Sequence, residues 1–171
     1  KNVRIIDASN LKIKNFYNVI SNFNSIMFQS PDNKIFTKKN FKVVSKRKPN
    51  IQTFNNLIFA FNVCRNVKSN AIVLTKNDTT IGIGSGQSSR LDSCKIAIEK
   101  MNKFQNINEN DEIIAASDAF FPFVDGIETL VQSGVSAIIQ PSGSIRDQEI
   151  IKFANQTNTI LVFSDTRHFK H

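Results

Sequence analysis

The chain has 171 residues, which fits one domain and lets roughly 70% of the unfolded chain's surface be buried around a single core. Lys and Arg number 22 against 14 Asp and Glu, a formal net charge of +8, and there are two cysteines. These features exclude a disulfide-built scaffold and a helical membrane span, and no charged-then-apolar leader opens the chain. The expected location is the cytoplasm, with no membrane partner.

Lys1-Asn2-Val3 opens the chain without an initiator methionine, as expected of a processed or excised piece of a longer protein. Val3-Arg4-Ile5-Ile6 is a short strand candidate, and Asn18-Val19-Ile20 with Ser25-Ile26-Met27-Phe28-Gln29 is a candidate strand pair. The excess charge then concentrates in Lys38-Lys39, Lys42 and Ser45-Lys46-Arg47-Lys48, a run that invites a nucleic-acid interface. No tyrosine accompanies it, Pro49 closes it as a loop, and the joint richness in Lys, Asn, Ile and Phe is the bias of an AT-rich genome. A solvated loop with no nucleic-acid partner is the expectation.

From Ile51 the pattern sharpens. Phe54, Leu57, Ile58, Phe61 and Cys64 recur at three and four residues and predict a helix ending near Lys68. Asn70 to Thr75 predicts a strand, Lys76-Asn77-Asp78 a turn, and Thr79 to Gly84 the returning strand of a hairpin. Gly84-Ser85-Gly86-Gln87-Ser88-Ser89-Arg90 leads into a helix with Leu91, Cys94, Ile98 and Met101 on one face, capped by Ser88 or Ser89. Cys64 and Cys94 thus occupy apolar helix positions and are expected to be buried thiols in a reducing compartment.

Beyond Asp111 three apolar runs, Ile113 to Ala116, Val135 to Ile139 and Thr159 to Phe163, alternate with helical patterns over Asp125 to Ser133 and Ser144 to Asn155. The fold class is therefore α/β, with a mixed or parallel sheet, helices on both faces and right-handed crossovers. In such sheets ligands gather outside the carboxyl ends of the strands. Those ends carry Ser117 to Phe123, Gln140 to Ser144 and Ser164 to His171.

These loops admit chemistry beside plainer roles. The glycines of Gly84-Ser85-Gly86 either expose amides to an anion at a helix N-terminus or serve a tight turn. Phe120, Phe121 and Phe123 with Pro122 are either core or a slot for a flat ligand, with Asp118 and Asp125 at its rim. Asp125 also has capping-box spacing to Glu128, and Ser144 is placed to cap the next helix. Arg167-His168-Phe169-Lys170-His171 is either a frayed tail or a site where an arginine grips phosphate and a histidine carries protons.

Taken together, Lys68 to Val73, Gly82 to Arg90, Ala116 to Phe123, Ile139 to Asp147 and Arg167 to His171 resemble the C-terminal part of a bifunctional purine-biosynthesis family. In that family phosphoribosylaminoimidazolecarboxamide (AICAR) formyltransferase is joined to IMP cyclohydrolase. Departures are Ser85 for the usual alanine, Val124 for arginine or proline, and Ser142 for glycine; Lys1 to Arg65 matches less distinctly. The resemblance implies a three-layer α/β/α cytidine-deaminase-like unit over 68–171, within a homodimer. It implies formyl transfer from 10-formyltetrahydrofolate to AICAR, giving FAICAR. Asn70, Phe120, Arg167, Phe169 and His171 would bind AICAR, with Asn70 and His171 catalytic; Arg90, Pro122, Phe123 and Asp125 would face the folate. Asp118 would help hold a structural potassium ion. No zinc is implied, since the chain lacks a His-x-Glu with Pro-Cys-x-x-Cys. The family's catalytic Lys-His pair would lie upstream, in the rest of the same enzyme. A nucleotide-binding module of other function, or a basic nucleic-acid binder, remain alternatives.

Overall fold

The computed structural model describes Arg4, Ile6, Asp7, Asn10 and residues 17–104, 106–108 and 111–170. It divides into two units, Lys1–Ile35 and Phe36–His171. Of the strand expected at Val3 to Ile6, Val3 and Ile5 lie outside the described residues, and Arg4 and Ile6 are not in a strand. The first unit holds the expected strand pair as an antiparallel ribbon, β1 (Asn18–Asn22) and β2 (Ser25–Gln29), with Val19 opposite Phe28 and Ile20 opposite Met27.

The second unit is built on a six-stranded mixed sheet in the order β3-β8-β7-β6-β4-β5. Its strands are β3 (Phe41–Val43), β4 (Ile72–Lys76), β5 (Thr79–Gly84), β6 (Ile113–Ser117), β7 (Val135–Pro141) and β8 (Ile160–Ser164). Strands β6, β7 and β8 run parallel, as their near-continuous apolar sequences predict, while β3, β4 and β5 join antiparallel. The β4–β5 hairpin turns through Asn77 and Asp78, both at positive φ (49° and 56°), the backbone that suits a two-residue turn between right-twisted strands.

Alternation along the strands separates two cores. Val73, Ile114, Ala116, Ile139 and Val162 pack against Leu57, Ala60, Phe61 and Cys64 of α1 (Ile51–Cys64). On the other face Leu74, Ile113, Ala115, Ile138 and Leu161 meet α2 (Arg90–Phe104), α3 (Val124–Gln132) and α4 (Asp147–Gln156). Gly82 and Gly84 of β5 face α2 so closely that a Cβ on either would collide with the carbonyls of Ala97 and Ser93. Their absence of side chain sets the helix-to-sheet distance, and the anion-loop reading of Gly84 gives way to packing. Gly86, at φ +69°, shapes the following turn.

Several boundaries differ from expectation. The basic segment is not one loop: Lys38–Asn40 form a 3-10 turn and Phe41–Val43 the edge strand β3. Phe41 and Val43 pack on the α1 core while Lys42 is exposed, and three residues are too few to print a period. Helix α1 starts at its Asn50 cap, whose Oδ1 accepts from Thr53 N at 2.7 Å, but stops at Cys64. Tight turns from Asn66 and Val67 back to Val63 and Cys64 end it. Helix α3 starts at Val124, so Asp125 lies inside the first turn and forms no capping box. Gly126, tucked under the Phe121 ring, draws that turn against the phenylalanine wall. Ser144 does not cap α4, because the Asp147 carboxylate takes the Gly143 and Ser144 amides (2.8 and 3.2 Å), and the Ser144 hydroxyl accepts from Arg146 N.

Candidate functional site

The segments that follow β6 and β8, together with the segment before β4 and the first turns of α2 and α3, enclose a cleft of about 500 Å³. Asn70, Arg90, Phe120, Pro122, Phe123, Asp125, Arg167 and Phe169 all line it. Ser88, Ser89 and Leu91 line it too, and the sequence had marked the two serines only as helix caps. His171 lies outside the described residues.

The phenylalanine wall divides into two kinds of residue. Phe121 is 1% exposed and belongs to the core, whereas Phe123 is 52% exposed at the mouth, under the Arg146 guanidinium at 4.9 Å. Phe121 thus packs in the core, while Phe120, Pro122 and Phe123 line the cleft. Arg167 is exposed and stacks its guanidinium 4.5 Å above the Phe120 ring, an arrangement that orients the fork and leaves its N–H groups for an anion. Beside it the chain bends at Gly143 (φ +107°), where a Cβ would come within 3.0 Å of Arg167 Nη2. The neighbouring amides of Gly143 and Ser144 are already held by Asp147.

Asp118 is not at the rim. It is 1% exposed beneath the cleft, because its position just past β6 turns it inward, and its carboxylate is closed on both oxygens. Arg90 forms an ion pair with Oδ1, and the Ser69 hydroxyl donates to Oδ2 at 2.6 Å. Arg90 also donates to Ser117 Oγ at 2.8 Å and to Asn70 Oδ1 at 2.9 Å. The Asn70 amide nitrogen donates to the carbonyls of Gln87 and Ser88 at 3.0 and 3.1 Å. A potassium ion does not fit this carboxylate, since donors, including a cation, fill the positions where the ion's oxygen ligands would have to converge. Among the described residues no three His, Cys, Asp or Glu side chains gather as a metal site.

His168 is not a proton carrier for the cleft. It is 1% exposed, with its ring 4.5 Å from Phe61 and 5.5 Å from Phe36, and its backbone N–H donates to Asp118 O at 2.8 Å. Burial pushes the Cys64 thiol well up, helped by the negative charge of Asp118, and pushes Cys94 up to about 12. Neither is a nucleophile near neutral pH.

The family described as the AICARFT/IMPCHase bienzyme matches this chain over residues 1–100. The chain belongs to that family. The match takes in Lys1 to Arg65, where the motifs alone were indistinct. Among relatives, the bifunctional purine biosynthesis protein PurH of Buchnera aphidicola subsp. Baizongia pistaciae is 48% identical over 162 residues, 95% of this chain and 29% of the relative. PurH of Neisseria meningitidis serogroup C is 43% identical over all 171 residues, 32% of its length. PurH of Chlorobium phaeobacteroides (strain DSM 266) is 45% identical over 146 residues, 85% of this chain and 28% of the relative. The chain thus spans less than a third of the length of these bifunctional purine biosynthesis proteins.

Proposed function

We propose that this chain forms the C-terminal part of the AICAR transformylase half of such an enzyme, rather than part of its cyclohydrolase half. In this reading it supplies one wall of the site where a formyl group passes from 10-formyltetrahydrofolate to AICAR, in a cytoplasmic homodimer of cytidine-deaminase-like units. One observation carries the reading: a single cleft holds an exposed arginine on an aromatic ring beside a half-exposed phenylalanine wall. That pairing suits a flat heterocycle with a phosphate at one end and a second flat ligand stacked beside it.

The chemistry assigns roles. The AICAR amine attacks the formyl carbon, the bond from that carbon to N10 of the folate breaks, the amine gives up a proton and N10 regains one. The amine is a poor nucleophile, so fixed geometry supplies much of the rate. Arg167 holds the phosphate, Phe120 and Phe169 flank the heterocycle, and Pro122, Phe123 and Asp125 form the folate side. Asn70, whose amide is committed to Arg90 and to the carbonyls of Gln87 and Ser88, shapes the pocket between them. The proton acceptor and the cation for the oxyanion come from the Lys-His pair of the upstream part.

Calorimetric titration with AICAR and a folate analogue at two salt concentrations tests this. Selective ribotide binding with shallow salt dependence is expected; a nucleotide module of other function would take other ribotides equally, and a nucleic-acid binder would show a steep salt slope. Formyl transfer by the isolated 171-residue chain is expected to be absent and to return on addition of the upstream part. Turnover by the chain alone would refute this division of the site.

A further inference from the structure

The cleft is assembled from stretches far apart in sequence: the residues before β4, the first turn of α2, and the terminal segment after β8. We propose that Asp118, buried beneath the cleft, is the positioning residue that holds these three in register through Ser69 and Arg90.

The argument begins with burial. A carboxylate as enclosed as Asp118 is tolerated only when its oxygens are paired and hydrogen-bonded. Here Oδ1 pairs with Arg90, itself only 9% exposed in its side chain, and Oδ2 takes the Ser69 hydroxyl proton. Committing that proton turns the Ser69 oxygen's lone pairs outward, and Lys170 N–H donates to it at 3.3 Å. Ser69 N–H in turn donates to Lys170 O at 3.0 Å, while Asp118 O accepts from His168 N at 2.8 Å. The tail is thus pinned on both sides of Phe169 and immediately after Arg167. These are the residues that reach the cleft from the tail, and the segment has no helix or strand of its own to hold it. On the other side, Arg90 grips Asn70, and Asn70 grips the carbonyls of Gln87 and Ser88, so the same charge fixes the entry to α2.

Hydrogen exchange on the ligand-free, full 171-residue chain reads this without assuming any ligand. Ser69→Ala removes the hydroxyl with little risk to folding, and Asp118→Asn removes the charge at constant shape. Exchange at the Ser69, His168 and Lys170 amides is expected to quicken by ~10-fold or more in Asp118→Asn, and at Ser69 and Lys170 in Ser69→Ala. The amides of β6 and β7 should be unchanged in Ser69→Ala, whereas Asp118→Asn, which also leaves Arg90 without its counter-ion, is expected to quicken them through lower global stability. A second arm rests on the ribotide reading: each variant is titrated with AICAR and with its riboside, which lacks the phosphate. The ratio of the two affinities is expected to fall by ~10-fold, because Arg167 is no longer presented; a merely less stable protein would lose affinity for both ligands alike and quicken its sheet amides. Unchanged tail exchange in Ser69→Ala and Asp118→Asn, or a loosened tail with an unchanged ratio, overturns the proposal. If the unaltered chain binds neither ligand, the ribotide reading falls and the exchange arm alone decides on Asp118. If Asp118→Asn does not fold, Ser69→Ala decides.

Discussion

Two groups of cations in this chain look alike in composition and differ in their surroundings. Lys38, Lys39, Lys42, Lys46, Arg47 and Lys48 lie on and beside the edge strand β3. There Lys48 donates to Ser45 O at 2.8 Å and Arg47 to Asn158 O at 3.1 Å, and Lys42 points outward. Lysines on such a strand keep its edge in water and discourage pairing with another chain. Arg90 and Arg167 instead stand in the cleft, one locked to a buried carboxylate and the other laid on an aromatic ring. A net charge of +8 registers both groups equally. What separates them is desolvation at Arg90 and aromatic backing at Arg167.

The sharpest way to break that comparison is to remove one cation from each group. Arg90→Leu leaves Asp118 buried without its counter-ion and is expected to destabilise the fold by about 3–5 kcal/mol. Lys38→Ala should stay within about 0.5 kcal/mol. Urea midpoints at constant m-value measure both. Comparable losses would mean that the Arg90–Asp118 pair is solvated and that the cleft floor is not the structure described.

Binding sharpens the same contrast at a smaller scale. Arg167→Ala is expected to weaken AICAR binding by about 1.5–3 kcal/mol, roughly ten- to a hundredfold or slightly more, while leaving the urea midpoint unchanged. Lys48→Ala should move neither quantity. Equal losses of affinity would show diffuse electrostatics, and the assignment of Arg167 to a phosphate would fail. Titration calorimetry on the two variants decides.

These contrasts also mark what could be seen in the sequence. The apolar runs of β6, β7 and β8 and the helical periods between them told of a partly parallel sheet with loops on one edge, because burial on both faces leaves a continuous apolar signal. Strand β3 escaped because Lys42 interrupts a three-residue element. The helix starts at Val124 and Asp147 escaped because capping residues were weighed locally, while the Phe121 ring and the Asp147 carboxylate decide the geometry. Physical reading of the loops left the phenylalanine wall as either core or slot, and the resemblance to a family supplied which residues to watch. Neither pointed to Ser69, whose importance comes from Asp118, 49 positions away, and from a tail that only the folded chain brings near.

A small effect is expected at a third kind of cation, Lys76 at the end of β4, whose Nζ lies 2.8 Å from Asp111 Oδ2 at the surface. The hydrogen bond from Lys76, and next the backbone N–H of Asn108, hold the Asp111 carboxyl below its usual range. A carboxyl whose folded pKa is depressed contributes stability that is fully present above its unfolded pKa of about 3.9 and is lost as pH falls through the folded value. Lys76→Met should therefore lower the urea midpoint slightly at pH 7, and the gap between variant and parent should narrow as pH falls below the unfolded pKa of about 3.9 and through the depressed folded value. Being solvent-facing, this pair is expected to cost far less to remove than Arg90. A gap that widens on acidification would show that Lys76 acts through packing and not through the carboxylate. A gap at pH 7 as large as that of Arg90→Leu would remove the distinction between buried and exposed charge on which the comparison rests.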